Sequence, residues 1–561
     1  MATSPLPSRI RTAVTAGTEW LFARRRPDGV FAPAGDRFSP GNTAVALMAL
    51  RLTGARDGRA DDVMTRGVTR LMETQRGDGG WAMAGVPTEL LATALATDVL
   101  QVVGGSRAAG AVKAGRRRLT ALGGEEALPE PAMVGLTRQF AVLAGRYPSH
   151  TLPRLPRELL LLPGFSRRLL SLRLPIFAAM TLGQSAQRRP RPGLGWLDSR
   201  TRSTALSVVR HVYEHGGGTG GLSTDPWLTG LVCIGVTRSG LAPEIAAASA
   251  DWLRSAASAD GSWDLMPLDL TWSGFATAAL LEAGRGADPR LATTRAMLRV
   301  RHRTPPFRAL ECPPGYWGFS DEHSWPMALE TAEISSILRR LPGGEGDRHA
   351  REGVDWLTRM QDSQGSWSLA VRNSRPGGFG PCPQMTAKAV LALLDHGADG
   401  SDARVERALR WLTKRQDRDG SFEALWYRGG TPGTATVLEA LCRARGAGHP
   451  AARRARDWLI RARQADGSWG TGRGQEPGTV EETAWALHAL LAAGIDPEDD
   501  VVTTAAQRLL AAQMPDGGWQ GGPVNEYIRF CARYTDDVIA ASLAVRALAR
   551  LRGPVPEADG A

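Results

Sequence analysis

Residues 463–469 read RQADGSW and residues 513–519 read QMPDGGW. The pattern recurs as RRRPDGVF (24–31), QRGDGGW (75–81), ASADGSW (257–263), QDSQGSW (361–367) and QDRDGSF (416–422). Asp-Gly marks a turn, because Gly accepts positive φ and Asp bonds back to the backbone. In the C-terminal part the turn returns at intervals of roughly 50 residues, the period of an array whose unit is a helix pair. Each turn follows an amphipathic helix, such as REGVDWLTRM, DARVERALRWLTKR or AARRARDWLIRAR, with Trp356, Trp411 and Trp458 in matching places. Each turn precedes a helix that is apolar nearly all round, such as TAKAVLALLDHG, ETAWALHALLAAG or SGFATAALLEAG. Helices of that second kind must be buried. A double ring satisfies both, with buried helices inside and half-polar helices outside. The expected fold is therefore all-α, an α/α toroid with almost no sheet.

The chain has 561 residues, more than one ordinary core holds, so two domains are expected. Apolar residues make up 43% and charged residues 22%, which fits a folded protein. The net charge of +11 would suit nucleic acid, anionic lipid or an anionic substrate. No run of five Lys/Arg, no zinc-finger spacing and no basic helix face is present, so no nucleic-acid partner is expected. A bacterial genome that favours Arg, Ala and Gly explains the charge equally well. The five cysteines, Cys233, Cys312, Cys382, Cys442 and Cys531, are far apart and form no CxxC, which reads as reduced thiols of a cytoplasmic protein. The stretch MATSPLPSRIRTAV lacks the apolar core of a signal peptide, and no 18-residue apolar run exists to cross a membrane.

The inner helices share a Thr-Ala pair at Thr331-Ala332, Thr386-Ala387, Thr434-Ala435 and Thr483-Ala484. A helix start exposes free N–H groups. If these ends point to the middle of the ring, the residues just before each pair line a common cavity. The turns and paired helices together resemble the QW repeats of squalene–hopene cyclases and related class II terpene cyclases, over nearly the whole chain. PPFRALECPPGYWGFSDEHSWPMALETAEI (305–334) is similar to the segment that leads into that family's Asp-x-Asp-Asp-Thr-Ala motif. DLTWSGFATAAL (269–280) matches an inner helix with a cavity tryptophan, here Trp272, and DGSFEALWYRGG (419–430) places Trp426, followed by Tyr427, where the family keeps another. LPRLPRELLLLPGFSRRLLSLRLPIFAAMTL (152–182) is similar to the family's amphipathic substrate-access region. Its core, 157–174, reads either as a peripheral membrane contact or as a packed helix at a domain junction. The resemblance implies two α/α barrels with the cavity between them. Residues 25–266 would be the inserted barrel, and 1–24 plus 267–561 the other.

The resemblance also implies a proton donor. Such cyclases protonate an alkene or epoxide with a carboxylic acid that a neighbouring carboxylate keeps protonated. Aromatic walls then stabilise the cation without attacking it. Here Asp-x-Asp-Asp aligns with Met327-Ala328-Leu329-Glu330, so Leu329 stands at the donor position. Lys388 stands where squalene–hopene cyclases carry a supporting His, and Gln384 where an Asp is usual. Glu330 is the acid that remains in the motif, with Glu333 one turn on. The candidate catalytic residues are Glu330 and Lys388; the candidate substrate-binding residues are Trp272, Trp325, Leu329, Gln384, Trp426 and Tyr427; no metal ligand is expected.

Each candidate has a plainer alternative. Glu330 could simply complement the helix dipole. Lys388 could pair with Glu330 or, with Arg428, anchor a substrate diphosphate. Asp536 and Asp537 could supply the missing acid or cap a helix. The tryptophans could be core. The function expected is a non-standard class II-type terpene cyclase of bacterial secondary metabolism, acting on a polyprene, prenyl diphosphate, epoxide or prenylated aromatic. The alternative is a catalytically inactive terpenoid-binding or scaffold protein. A zinc site like that of protein prenyltransferase β subunits is not expected, because His323, His396 and His488 do not pair suitably with Cys. No cofactor is expected, and Mg2+ only with a diphosphate substrate. The partner is an isoprenoid small molecule; a homodimer is left open.

Overall fold

A computed structural model of the chain describes residues 5–54, 58–186, 193, 195–375, 379–472 and 476–552. Helix α1 (Leu6–Ala23) is followed by α2 (Pro40–Thr53), α3 (Gly58–Glu73), α4 (Leu90–Val103), α5 (Ala109–Ala121) and α6 (Pro131–Leu143). Next come α7 (Pro163–Leu170), α8 (Leu174–Ala186), α9 (Gly195–His215), α10 (Pro226–Ser239) and α11 (Pro243–Ser255). Of these, α2, α4, α8 and α10 pack side by side, with α10 between α2 and α8 and with α6 against α4.

The rest of the chain forms a closed ring. Its inner helices are α12 (Asp269–Glu282), α14 (Ala328–Arg340), α16 (Pro383–Asp395), α18 (Thr431–Arg445), α20 (Val480–Ala492) and α22 (Asp537–Leu551). Each packs on the next, and α22 returns to α12. The outer layer is α13 (Leu291–Val300), α15 (Arg348–Met360), α17 (Ala403–Arg415), α19 (Pro450–Ala462) and α21 (Asp500–Ala511), completed by α1, which lies on α21 and α22. The apolar inner helices are thus buried all round and the half-polar ones face solvent on one side, as their sequences require.

Hydrogen bonds explain the repeated turn. The indole N–H of Trp81, Trp263, Trp367, Trp469 and Trp519 donates to a leucine carbonyl ten residues earlier, at 2.7–2.8 Å in each case. The backbone N–H of Trp367, Phe422 and Trp469 donates to Oγ1 of Thr386, Thr434 and Thr483 in the helix that follows. The turn glutamine ties its own Gly carbonyl to the start of the next outer helix, as Gln361 does to Gly365 and Arg404. Gln513 makes the last such link to Ala13 on α1, which closes the ring. Gly365 sits at φ 99°, and a Cβ there would come within 2.5 Å of the Arg407 carbonyl oxygen, so the turn needs glycine.

The Thr-Ala pairs prove to lie inside the helices rather than at their starts, which fall three residues earlier at Ala328, Pro383, Thr431 and Val480. Trp317 makes the same pair of bonds, to Leu298 and Thr331, from a turn without Asp-Gly. Among the described residues the sheet is a single hairpin, β1 (Asn525–Ile528) and β2 (Ala532–Tyr534). Residues 157–174 break into short helical pieces: Leu160 and Leu172 are buried, while Leu162, Phe165 and Leu169 are exposed. Among the described residues no helix is long and apolar enough to cross a membrane. All five cysteines are free thiols, and four are buried.

Candidate functional site

A cavity of about 610 Å³ lies between the helices α2–α11, the first unit, and the ring formed by α12–α22 with α1, the second unit, and has apolar walls. Its lining joins Met180, Asp225, Trp227, Leu228 and Leu231 of the first unit to Thr271, Phe319, Trp325, Leu329, Glu330, Trp426 and Tyr427 of the second. The volume falls within the range of small-molecule sites. Arg154, Arg173, Arg529, Glu130 and Glu526 also border it.

Glu330 stands in the first turn of α14 and is buried. Its Oε1 accepts a 2.9 Å hydrogen bond from Thr271 of α12. Burial pushes its carboxyl up to about 7; Thr271 and the backbone pull it down, the Glu333 carboxylate pushes it up, and Lys388 pulls it down. At neutral pH this acid retains much of its proton, which a donor requires. Trp325 packs against Phe307 with ring centroids 5.6 Å apart, Trp426 against Phe379 at 6.0 Å, and Tyr427 edge-on against Trp485 at 4.7 Å. Trp325, Trp426 and Tyr427 all border the cavity.

Of the residues the sequence singles out, Glu330, Trp325, Leu329, Trp426 and Tyr427 thus come together on one cavity. Trp272, Lys388 and Gln384 do not border it. Trp272 turns away because its indole N–H donates to Asp536 at 2.6 Å and the Arg37 guanidinium covers its ring at 4.2 Å. Lys388 pairs with Glu333 at 3.0 Å, not with Glu330. It belongs to a charged cluster with Glu439, His488 and Arg546, drawn from α16, α18, α20 and α22. Gln384 is buried in the first turn of α16 with its carbonyl oxygen unpaired. Arg428 is not free to hold a phosphate: it is buried between Glu482, at 2.8 Å, and Glu476. Asp536 caps α22 through the Ile539 N–H, and Asp537 accepts from Gly521. Among the described residues no cluster of three His, Cys, Asp or Glu side chains is placed to hold a metal ion.

Sequence reasoning missed the contribution of the β1–β2 hairpin. Its edge bonds to the strand-like segment 426–428, with Glu526 N–H to Trp426 O at 2.8 Å and Arg428 N–H to Val524 O at 2.9 Å. The hairpin thereby sets Glu526, Tyr527 and Tyr534 on the cavity beside Trp426 and Tyr427. It also missed Asp225, from the other unit.

A toroid of paired helices with an acid in an aromatic-lined apolar cavity is the form of a class II terpene cyclase. Residues 14–167 match the family model of the squalene–hopene cyclase N-terminal domain, and residues 379–527 that of its C-terminal domain, together more than half of the chain. The chain belongs to the squalene–hopene cyclase family, and is an enzyme of the terpene cyclase type. It is 28% identical over 534 residues to a squalene–hopene cyclase of Alicyclobacillus acidocaldarius, which covers 80% of this chain and 83% of that protein. A squalene–hopene cyclase of Bradyrhizobium diazoefficiens is 30% identical over 237 residues; the match spans 37% of this chain and 36% of that relative's length. Among solved structures, ent-copalyl diphosphate synthase from Streptomyces platensis superposes with a TM-score of 0.55 at 17% identity, covering 98% of this chain and 100% of that one.

Proposed function

We propose that the protein cyclises a prenyl chain in the 610 Å³ cavity and that Glu330 supplies the starting proton. The observation that carries this is the placement of Glu330. It is the acid of the altered motif, it borders the cavity, and burial keeps it partly protonated up to about 7. The proton passes from the Glu330 carboxyl to an epoxide oxygen or a terminal alkene carbon. The resulting cation then advances along the chain between Trp325, Trp426 and Tyr427. An epoxide is the easier base of the two, and one carboxylic acid suits it. Leu329 leaves the motif's usual donor position without an acid and serves as apolar wall.

Arg154, Arg173 and Arg529 border the cavity, with Arg173 paired to Glu130 at 3.3 Å and Arg529 to Glu423 at 2.9 Å, so a prenyl diphosphate would compete with carboxylates for two of the three. The synthase of Streptomyces platensis that shares this fold is named for a diphosphate product, which supports including that class. Mg2+ would accompany a diphosphate only. The division of the chain at 25 and 266 into an inserted barrel and a surrounding one is proposed with this reading, as is membrane contact through the exposed Leu162, Phe165 and Leu169.

The test is incubation of purified protein with geranylgeranyl diphosphate, farnesyl diphosphate, squalene and 2,3-oxidosqualene, with products read by mass spectrometry. Cyclised product that disappears in Glu330→Gln supports the reading. Binding without turnover of any of them would instead support a terpenoid-binding protein.

A further inference from the structure

Besides Glu330, the buried acids on the cavity are Asp225 and Glu526, and nothing in the reaction described so far uses Asp225. It is carried by the first unit, at the start of α10, whereas Glu330 is carried by the second. The two residues before it, Ser223 and Thr224, both have left-handed backbones, at φ 54° and 52°. Neither is glycine and one is β-branched, so this conformation is strained and persists because its surroundings impose it. The imposing contacts come from the other unit. Thr224 Oγ1 meets Ser320 Oγ at 2.8 Å, and the Trp325 N–H donates to Ser223 Oγ at 3.4 Å. The strained turn is therefore clamped to the segment that leads into α14, and it delivers Asp225 to the cavity.

The carboxyl group is also held from a third direction. Tyr527 of the hairpin donates its hydroxyl proton to Asp225 Oδ1 at 2.7 Å, and the Trp227 N–H donates to the same oxygen at 2.9 Å. Trp227 and Tyr527 stand edge to face, 6.4 Å apart, and both border the cavity. Burial pushes the Asp225 carboxyl up to about 7, against the hydrogen bonds of Tyr527, Trp227 and Leu228, all of which favour the carboxylate. Glu330 differs in having the Glu333 carboxylate as a neighbour, which favours its protonated form. Both carboxyls accept hydrogen bonds and are pushed up to about 7; Asp225 differs in that no neighbouring carboxylate acts on it and in standing beside the two aromatic rings of Trp227 and Tyr527, which tolerate a positive charge.

A cyclisation that begins with a proton must end by losing one or by capturing a nucleophile. We propose, resting on the cyclase reading above, that Asp225 is the catalytic base that takes the terminal proton, with Tyr527 as its positioning residue. In this step a C–H bond next to the cationic carbon breaks. Its electron pair becomes the new C=C bond, and the proton forms an O–H bond on the Asp225 carboxylate. Charge is conserved, because one proton enters from Glu330 and one leaves to Asp225, and no oxidant or reductant is needed. The product of such a base is an alkene rather than an alcohol.

Two measurements on the full chain test this. Asp225→Asn keeps a side chain that caps α10 and removes the base. With the four substrates named above, it is expected to slow turnover by about 10²-fold, the scale of losing a general base, and to shift the product from one alkene toward water-captured alcohol or alkene isomers. Tyr527→Phe is expected to give the same shift with a smaller loss. An unchanged rate and product set in Asp225→Asn would overturn the proposal. The second measurement needs no turnover. N,N-dimethyldodecylamine, protonated, mimics the terminal cation on a hydrocarbon chain, and dodecan-1-ol is its neutral control. Quenching of tryptophan fluorescence is expected to show the ammonium bound at least about tenfold more tightly than the alcohol, the scale of a charge-assisted contact in an apolar site. That preference should vanish in Asp225→Asn and persist in Glu330→Gln. A preference that persists in Asp225→Asn, or one absent from the unaltered protein, overturns the base assignment and leaves the Glu330 reading standing. Loss of turnover in Glu330→Gln with the preference intact separates the two roles.

Discussion

Helices α14 and α22 are both inner helices of the same ring, and both begin beside an acid. Glu330 opens α14 and borders the cavity, with Thr271 as its side-chain hydrogen-bond donor. Asp536 caps α22 and is buried as deeply, but it accepts from Ile539 at 3.0 Å and from Trp272 at 2.6 Å and does not border the cavity. Burial raises both carboxyls above their ordinary range. What separates them is access. One acid faces space that a substrate can fill; the other is spent on fixing a helix start and an indole. A perturbed carboxyl marks a candidate, and the cavity wall decides between candidates.

The comparison breaks most sharply at Glu330. Glu330→Gln keeps the size and removes the acid, and is expected to lower kcat by at least about 10²-fold, the usual scale for a lost general acid. An equal loss in Asp536→Asn, with Glu330→Gln still active, would move the donor to the other helix. Leu329→Asp is the converse change. It sets a carboxyl on the cavity wall one residue before Glu330 and is expected to yield new products from plain polyprenes, seen by mass spectrometry. Next in size is Trp426→Ala. It removes a half-buried cavity ring, so the rate is expected to fall about tenfold, the worth of one desolvated cation–π contact, with a broader product mixture.

A smaller effect tests the layer beneath Glu330. The carboxyl is raised from its ordinary 4.5 to about 7, so its proton is present below that range and is lost as pH rises through about 7. The rate limited by the donor should therefore fall on the alkaline side of pH 7. The charged and titratable groups that act on it are Glu333, Lys388, Tyr427 and Tyr534. Lys388 favours the ionised form, so Lys388→Ala is expected to move that alkaline limb to higher pH. The same change leaves the Glu333 carboxylate without its 3.0 Å partner, and a urea melt should show a loss of about 2 kcal/mol. A limb that stays in place would show that the Glu333–Lys388 pair does not reach the donor.

The ring itself was legible because each turn repeats a local chemistry. Gln361, Gln416 and Gln513 make the same links, and the Trp indoles the same bond ten residues back, so the spacing of those residues is the fold. The turn at Trp317 was not, since it makes those bonds without Gln or Asp-Gly. Half of the cavity was also readable, because Leu329, Glu330, Trp426 and Tyr427 lie near inner-helix starts. Trp272 shares that position and still leaves the wall, drawn off by Asp536 and Arg37 from elements distant in sequence. The hairpin gave no warning, since its turn places Phe530 at φ 62° where glycine or asparagine would signal the bend. Asp225 lies 105 positions before Glu330 and meets the cavity only through the packing of one unit on the other.

The smallest expected effect on turnover is the most discriminating one. Asp536→Asn keeps a good helix cap, since its one amide oxygen serves the Ile539 N–H, but it turns an NH2 toward the Trp272 indole and loses that bond. It removes the negative charge and the acceptor of one buried N–H. If Asp536 is structural, turnover should stay within about threefold of the unaltered protein, and stability should fall by about 1–3 kcal/mol, the scale of one buried donor left unpaired. Asp536→Ala loses the cap as well, and should cost about 1–2 kcal/mol more, with little direct effect on chemistry. The pair of variants therefore separates two meanings of the same buried acid. A donor is sensitive to the loss of its proton and is hit by both changes. A structural acid keeps its turnover in both variants and loses more stability to alanine than to asparagine. The cavity boundary, which includes Glu330 and excludes Asp536, predicts the second pattern for α22.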